Sequence, residues 1–120
     1  KHLTKEAALN SLIPYKTDVS SGFAIVPNQK DRKIARIEIE ARKWGGAPLR
    51  ISTELSVNDS ADAAGVMVDM IRCAKLGADR DVAGRLVSAS AYYAKHPPVQ
   101  FNDEDAFAML NEFIEGKRER

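Results

Sequence analysis

Lys33 to Lys43 alternates between apolar and polar positions. Ala35, Ile37, Ile39 and Ala41 point one way; Arg36, Glu38, Glu40 and Arg42 point the other. A period of two over this length predicts a half-buried strand. Leu49 to Val57 alternates in the same manner, with Leu49, Ile51, Thr53, Leu55 and Val57 on the inner face. Trp44-Gly45-Gly46-Ala47-Pro48 between them supplies turn residues, so the pair predicts an antiparallel hairpin. Its outer face carries both signs of charge, which suits water, cross-strand ion pairs or a polar subunit contact.

Ahead of the hairpin the pattern predicts a short helix over residues 4–13. Thr4 is its N-cap, Ala7, Ala8, Leu9, Leu12 and Ile13 form its apolar face, and Pro14 stops it. Residues 15–22 are polar and read as a loop. The apolar run Phe23 to Val26 predicts a short strand, followed by a loop over residues 27–32.

Helical periodicity takes over after Val57. Asp59 or Ser60 caps a helix running to about Leu76, with Asp62 in its first turn near the positive end of the dipole. Ala63, Val66, Met67, Met70, Ile71 and Ala74 form its expected buried stripe, and Gly77 is the expected C′ residue. Leu86 to Lys95 is helical until Pro97-Pro98 ends it. Asn102 caps a last helix that buries Ala106, Phe107, Leu110, Phe113 and Ile114. Gly116 ends that helix, and the Lys-Arg-Glu-Arg tail is expected to fray. Helix, three strands and three helices make an α+β pattern, not an alternating βαβ one.

Composition narrows the function classes. A chain of 120 residues, 44% hydrophobic and 29% charged, can form one globular domain with a core. Eighteen basic residues against 17 acidic ones leave a net charge of +1, which gives no electrostatic case for nucleic acid. No apolar run approaches the roughly 18 residues of a membrane span. Cys73 is the only cysteine, so no internal disulfide forms and a reducing cytoplasm is the expected home. Cys73 with His2 and His96 does not make a zinc site. There is no Gly-x-Gly-x-x-Gly, no P-loop and no nucleophile elbow, so nothing here cradles a pyrophosphate by the glycine-rich route.

Lysines are the remaining candidates for chemistry. Lys1 and Lys5 share one helical face if the helix extends that far, Lys33 opens the hairpin, and Lys95 closes a helix. Taken singly, each also fits a plain role: a surface charge, a strand end or a complement to a helix dipole. Asp59 likewise fits a simple N-cap.

Taken together and in order, these residues resemble the C-terminal part of the myo-inositol-1-phosphate synthase (inositol-3-phosphate synthase) family, in its shorter prokaryotic form. Lys1-His-Leu-Thr-Lys5 resembles the family's Lys-x-x-Ser-Lys segment. Asp31-Arg-Lys33 resembles its Asp-x-Lys element, without the glycine that often precedes it. Asn58-Asp59-Ser60, followed by Ala64-Gly65 and Asp69, is similar to its Asp-Ser helix. Ala89-Ser90-Ala91-Tyr92 with Lys95-His96-Pro97-Pro98 is similar to its closing lysine–proline motif. The matching pieces span essentially the whole chain.

The resemblance implies a reaction, converting glucose 6-phosphate to inositol 1-phosphate in inositol and phospholipid biosynthesis. NAD oxidises the sugar at C5, enolisation follows at C6, an aldol step joins C6 to C1, and NADH reduces the ketone. By position, Lys1, Lys5, Lys33 and Lys95 correspond to the family's active-site lysines. Lys1 and Lys95 would serve proton transfer and the C5 oxygen; Lys5 and Lys33 would bind phosphate or the C1 oxyanion. Asp59, with Ser60 beside it, would lie near the nicotinamide, a lysine or a bound monovalent or divalent metal cation. Such a set suits the chemistry, because fixed cations stabilise developing oxyanions and crowded lysines lower one another's pKa.

By the same resemblance, residues 1–57 are a catalytic and oligomerisation sheet region like the C-terminal domain of glyceraldehyde-3-phosphate dehydrogenase. Residues 58–120 are helices that return to an NAD-binding Rossmann domain upstream of Lys1. The chain is then one piece of a larger, homotetrameric enzyme and is expected to be inactive alone. Two other readings stay open: a non-catalytic oligomerisation module, and part of a different NAD-dependent oxidoreductase.

Overall fold

The computed structural model describes residues 2–120, with side chains from Leu3 onward; Lys1, the first expected active-site lysine, lies outside the described residues. The order is α1 (His2–Leu12), β1 (Arg32–Arg42), β2 (Pro48–Asn58), α2 (Asp59–Asp79), α3 (Val87–Tyr93) and α4 (Asp103–Ile114). The fold is therefore α+β, with four α-helices and a two-stranded antiparallel sheet among the described residues. The described residues divide into two units, residues 25–65 and residues 2–24 with 66–120.

The hairpin forms in a register that agrees with its alternation. Ala35 faces Leu55, Ile37 faces Thr53, Ile39 faces Ile51 and Ala41 faces Leu49, so the apolar positions share one face. On the other face Arg36 donates to Glu54 at 2.9 Å, and Arg50 reaches Glu38 diagonally across the strands. The turn closes with Lys43 N donating to the Ala47 carbonyl at 2.7 Å. Gly45 and Gly46 have φ of 72° and 78°, a region that costs any residue with a Cβ. Burial of the apolar face does not follow: Ile37, Ile39, Ile51 and Leu55 are each about half exposed. Two strands make only one layer, and a sheet face is buried only when a second layer covers it.

Phe23 to Val26 is not a strand. Its backbone is irregular, and Phe23, Ile25 and Val26 are exposed. Among the described residues no strand runs beside it, and an unpaired strand leaves its backbone groups without ladder partners. The sheet thus has two strands, not the expected three.

The core lies in the helical unit. Cys73, Ala89, Leu110 and Phe113 form a buried cluster, with Leu76, Leu86 and Tyr93 packed against it. Ala106 is buried as expected from α4, whereas Phe107 and Ile114 remain about half exposed. In α2 the expected stripe is displaced. Val66, Met67 and Ile71 are exposed, and the buried positions are Cys73 and Gly77 in the last turns. α2 also runs past Gly77 to Asp79, and the chain turns at Asp81, whose φ is 55°. Asp tolerates this left-handed conformation better than most residues, so glycine was not needed to stop the helix.

α4 is bounded as its sequence predicts. The Asn102 side chain accepts from Asp105 N at 2.8 Å. At the far end, Lys117 N donates to the Glu112 carbonyl and Gly116 N to the Phe113 carbonyl, with Gly116 at φ 78°; this is a Schellman closure. The tail beyond it makes contacts with the rest of the helical unit. Arg118 pairs with Glu112 at 2.8 Å, and Arg120 donates to the Ala83 carbonyl at 3.1 Å. The end of α2 is tied to the same region. The Arg80 guanidinium donates to the Phe113 and Ile114 carbonyls at 2.5 and 2.9 Å and lies 5.7 Å from the centre of the Phe113 ring.

Candidate functional site

Antiparallel pairing places the start of β1 beside the end of β2, with Lys33 opposite Val57. α2 begins immediately after β2, so its first turn emerges next to the Asp31–Lys33 segment. There the Lys33 Nζ donates to Asp59 Oδ1 at 2.6 Å. The Ser60 hydroxyl donates to Asp31 Oδ1 at 2.7 Å, and Ser60 N to Asp31 Oδ2 at 3.4 Å. Asp59 N donates to the Asp31 carbonyl at 2.9 Å.

Asp59 and Ser60 were the expected caps of α2, but the cap is Asn58. Its Oδ1 accepts from Ala61 N at 2.9 Å, three residues on, where an N-cap side chain reaches. Asp59 is therefore the first helical residue, and its carboxylate is turned to a cation instead of a backbone amide. Both partners are half exposed, with side-chain exposures of 54% for Lys33 and 56% for Asp59. The arrangement offers a tethered ammonium group that an anionic ligand can reach.

The other two described lysines belong to the helical unit. Lys5 is exposed on α1. Lys95 is exposed two residues past the end of α3, beyond Ala94, whose N donates to the Ser90 carbonyl at 3.0 Å. Among the described residues neither ammonium group has an ion-pair partner. The structure thus joins Lys33, Asp59 and Ser60 in one cluster within the hairpin unit, while Lys5 and Lys95 stand in the other unit.

Asp31 and Asn58 carry much of this geometry and were not among the residues singled out for the site. Asp31 was legible only as the first letter of Asp-x-Lys; nothing local says that it reaches residues 59 and 60. Asn58 was masked by the two equally good caps that follow it.

Burial pushes the Cys73 thiol above its ordinary value, Asp69 adds to the effect and Arg72 opposes it. Burial, then Asp69, likewise raises the Tyr93 phenol. Two open clefts, one lined by Arg85, Val87, Pro98, Val99 and Arg120 and one at the closed end of the hairpin, contain none of the cluster residues.

The described residues include no group of three or more His, Cys, Asp or Glu side chains placed to hold a metal ion. Near Asp59 the cationic position is taken by the Lys33 ammonium, so the cluster does not fit a metal as it stands. For a dinucleotide, Asp59 and Ser60 present exposed polar groups, but among the described residues no glycine-rich pyrophosphate cradle accompanies them. Among the described residues no helix is long and apolar enough to cross a membrane.

No family model matches the sequence. Several curated proteins named inositol-3-phosphate synthase do. The protein from Mycobacterium tuberculosis (strain H37Rv) is 45% identical over 86 residues, which cover 72% of this chain and 23% of that protein. The protein from Mycolicibacterium smegmatis is also 45% identical over 86 residues, covering 72% of this chain and 24% of that protein. The protein from Corynebacterium glutamicum is 40% identical over 84 residues, covering 70% of this chain and 23% of that protein. The chain therefore spans under a quarter of the length of these curated relatives, and it matches them as a partial piece of their family.

Proposed function

We propose that this chain, which matches one segment of the inositol-3-phosphate synthases, supplies a cationic wall of a phosphosugar site in an enzyme of that activity. The observation that carries the reading is the Lys33–Asp59 pair at 2.6 Å, formed by two sequence elements that the family resemblance had linked. Glucose 6-phosphate would be the substrate and an inositol phosphate the product. The substrate phosphate is a dianion, and enolisation and aldol closure build further negative charge on sugar oxygens. Preorganised ammonium groups stabilise such charge as it develops.

In this proposal Lys33 and Lys5 hold the phosphate or the C1 oxyanion. Lys95, with Lys1, serves proton transfer and the C5 oxygen. Asp59 keeps the Lys33 ammonium oriented and, with Ser60, borders a nicotinamide ring. NAD supplies the hydride acceptor and donor when bound, but its site has to be built mostly by residues outside this chain. The strand region is the proposed counterpart of the C-terminal domain of glyceraldehyde-3-phosphate dehydrogenase. The uncovered apolar face of the hairpin supports a further assembly role in a homotetramer, since an exposed face of this kind marks a contact surface.

The test is Lys95→Ala in the complete enzyme that contains this chain. The intact enzyme should form inositol phosphate from glucose 6-phosphate with no net NADH, and the variant should lose that activity. Full activity in the variant would remove the catalytic reading. Net NADH production by the intact enzyme would point instead to a different NAD-dependent oxidoreductase.

A further inference from the structure

We propose that Asp31 is a positioning residue that fixes the start of α2 so that the Asp59 carboxylate meets the Lys33 ammonium. The proposal rests on the reading that Lys33 serves the phosphosugar reaction.

A helix N-terminus leaves its first amides without intrahelical acceptors. Here Asp59 N is taken by the Asp31 carbonyl at 2.9 Å and Ser60 N by Asp31 Oδ2 at 3.4 Å. Ala61 N is taken by Asn58 Oδ1 at 2.9 Å. The Ser60 hydroxyl adds a third bond to Asp31, at 2.7 Å to Oδ1. Asp31 therefore accepts from two consecutive residues of the helix through three different oxygen atoms. Its negative charge also sits at the favourable end of the helix dipole.

Two consequences follow. The Ala61 amide, which an Asp59 cap would reach, is already taken by Asn58, and the Asp59 carboxylate pairs with Lys33. The helix is also pinned to the segment that carries Lys33, because Asp31 precedes that lysine by two residues. Lysine has a long flexible stem, and this one is 54% exposed, so its head group would wander without a fixed acceptor. Asp31 fixes the acceptor. The carboxylate matters because its two side-chain oxygens do different jobs; an asparagine at this position offers only one acceptor oxygen.

The test uses the complete enzyme with glucose 6-phosphate and the variants Asp31→Ala, Asp59→Asn and their combination. Asp31→Ala should lower kcat by about 10- to 100-fold, in line with a misplacement of about 1 Å at a reacting group. In the Asp59→Asn background it should cause no further loss of kcat, while the melting temperature falls by the same amount in both backgrounds. A loss of kcat by the same factor in both backgrounds would mean a merely structural role and overturns the proposal. Where the Asp59→Asn background leaves too little turnover to compare, NMR of 13C-methylated lysines gives the same decision. The Lys33 methyl signal should move in Asp31→Ala as it does in Asp59→Asn, and an unmoved signal overturns the proposal. If Asp31→Ala does not fold, Asp31→Asn goes through the same comparisons with the same two outcomes. Lys95→Ala separates the levels. Full activity there removes the functional reading, whereas an inactive Lys95→Ala beside a fully active Asp31→Ala removes this proposal alone.

Discussion

Replacing Lys33 with methionine separates what its ion pair does for stability from the catalytic role proposed for its charge. Lys33 Nζ and Asp59 Oδ1 are 2.6 Å apart, and both side chains are more than half exposed. At that distance in bulk water the direct attraction is about 1.6 kcal/mol. Holding two flexible side chains in one geometry offsets most of it, and exposed pairs measure about 0.2–1 kcal/mol net. Methionine keeps the apolar stem, so little packing is lost. The melting temperature should therefore fall by no more than about 5 °C. Activity should fall far more. A fixed cation aimed at a developing oxyanion contributes on the order of 100- to 1,000-fold in kcat. The assay is inositol phosphate formation from glucose 6-phosphate by the complete enzyme, with thermal unfolding followed on the same sample. Wild-type turnover in Lys33→Met would refute the assignment of Lys33 to the site. A large drop in melting temperature with a proportionate loss of activity would refute the claim that the pair is energetically minor.

Two further predictions concern the helical unit. Arg80→Ala removes two charge-assisted hydrogen bonds to the end of α4 and should cost about 1.5–3 kcal/mol in urea unfolding of the 120-residue chain. Arg80→Lys should recover only part of this, because one ammonium cannot reproduce the planar fork that reaches both carbonyls. Stability should also depend on pH through Cys73, whose thiol is raised above its ordinary 9.0 by burial and then by Asp69. The unfolded chain gives up that proton near pH 9 while the folded state keeps it, so this contribution is full below about pH 9 and is lost as pH rises through the folded value. Urea midpoints measured from about pH 7 to 10 should fall at the alkaline end, and Cys73→Ala should flatten the fall. A slope unchanged by that substitution would contradict the assignment.

Much of the hairpin and the last helix was legible in the sequence because their signals are local. Alternation of period two sets which residues share a sheet face, and it put Ile39 and Ile51, and Ala35 and Leu55, on the same one. The Asn102 cap and the Gly116 closure depend on residues three to five apart, so the sequence alone determined the bounds of α4. The apolar run at Phe23 was misleading because a strand needs a partner, and hydrophobicity does not say whether one is present. The stripe of α2 was misleading for a related reason: periodicity shows which face could be buried, while tertiary contacts decided that Cys73 and Gly77 are buried and Val66 and Ile71 are not.

The candidate site divides along the same line. Family resemblance in the sequence singled out Lys33 and Asp59, and the similarity to inositol-3-phosphate synthases supports the family. Only the tertiary structure decided that these two side chains meet, that Asn58 and not Asp59 caps α2, and that Asp31 holds the junction. Capping residues compete for the same few amides over three adjacent positions, and the winner depends on which acceptors the rest of the chain brings near. Asp31 arrives from 29 residues away, across the whole length of the hairpin. A contact of that kind is fixed by strand register and by the direct joining of β2 to α2, which no local pattern at residue 31 encodes.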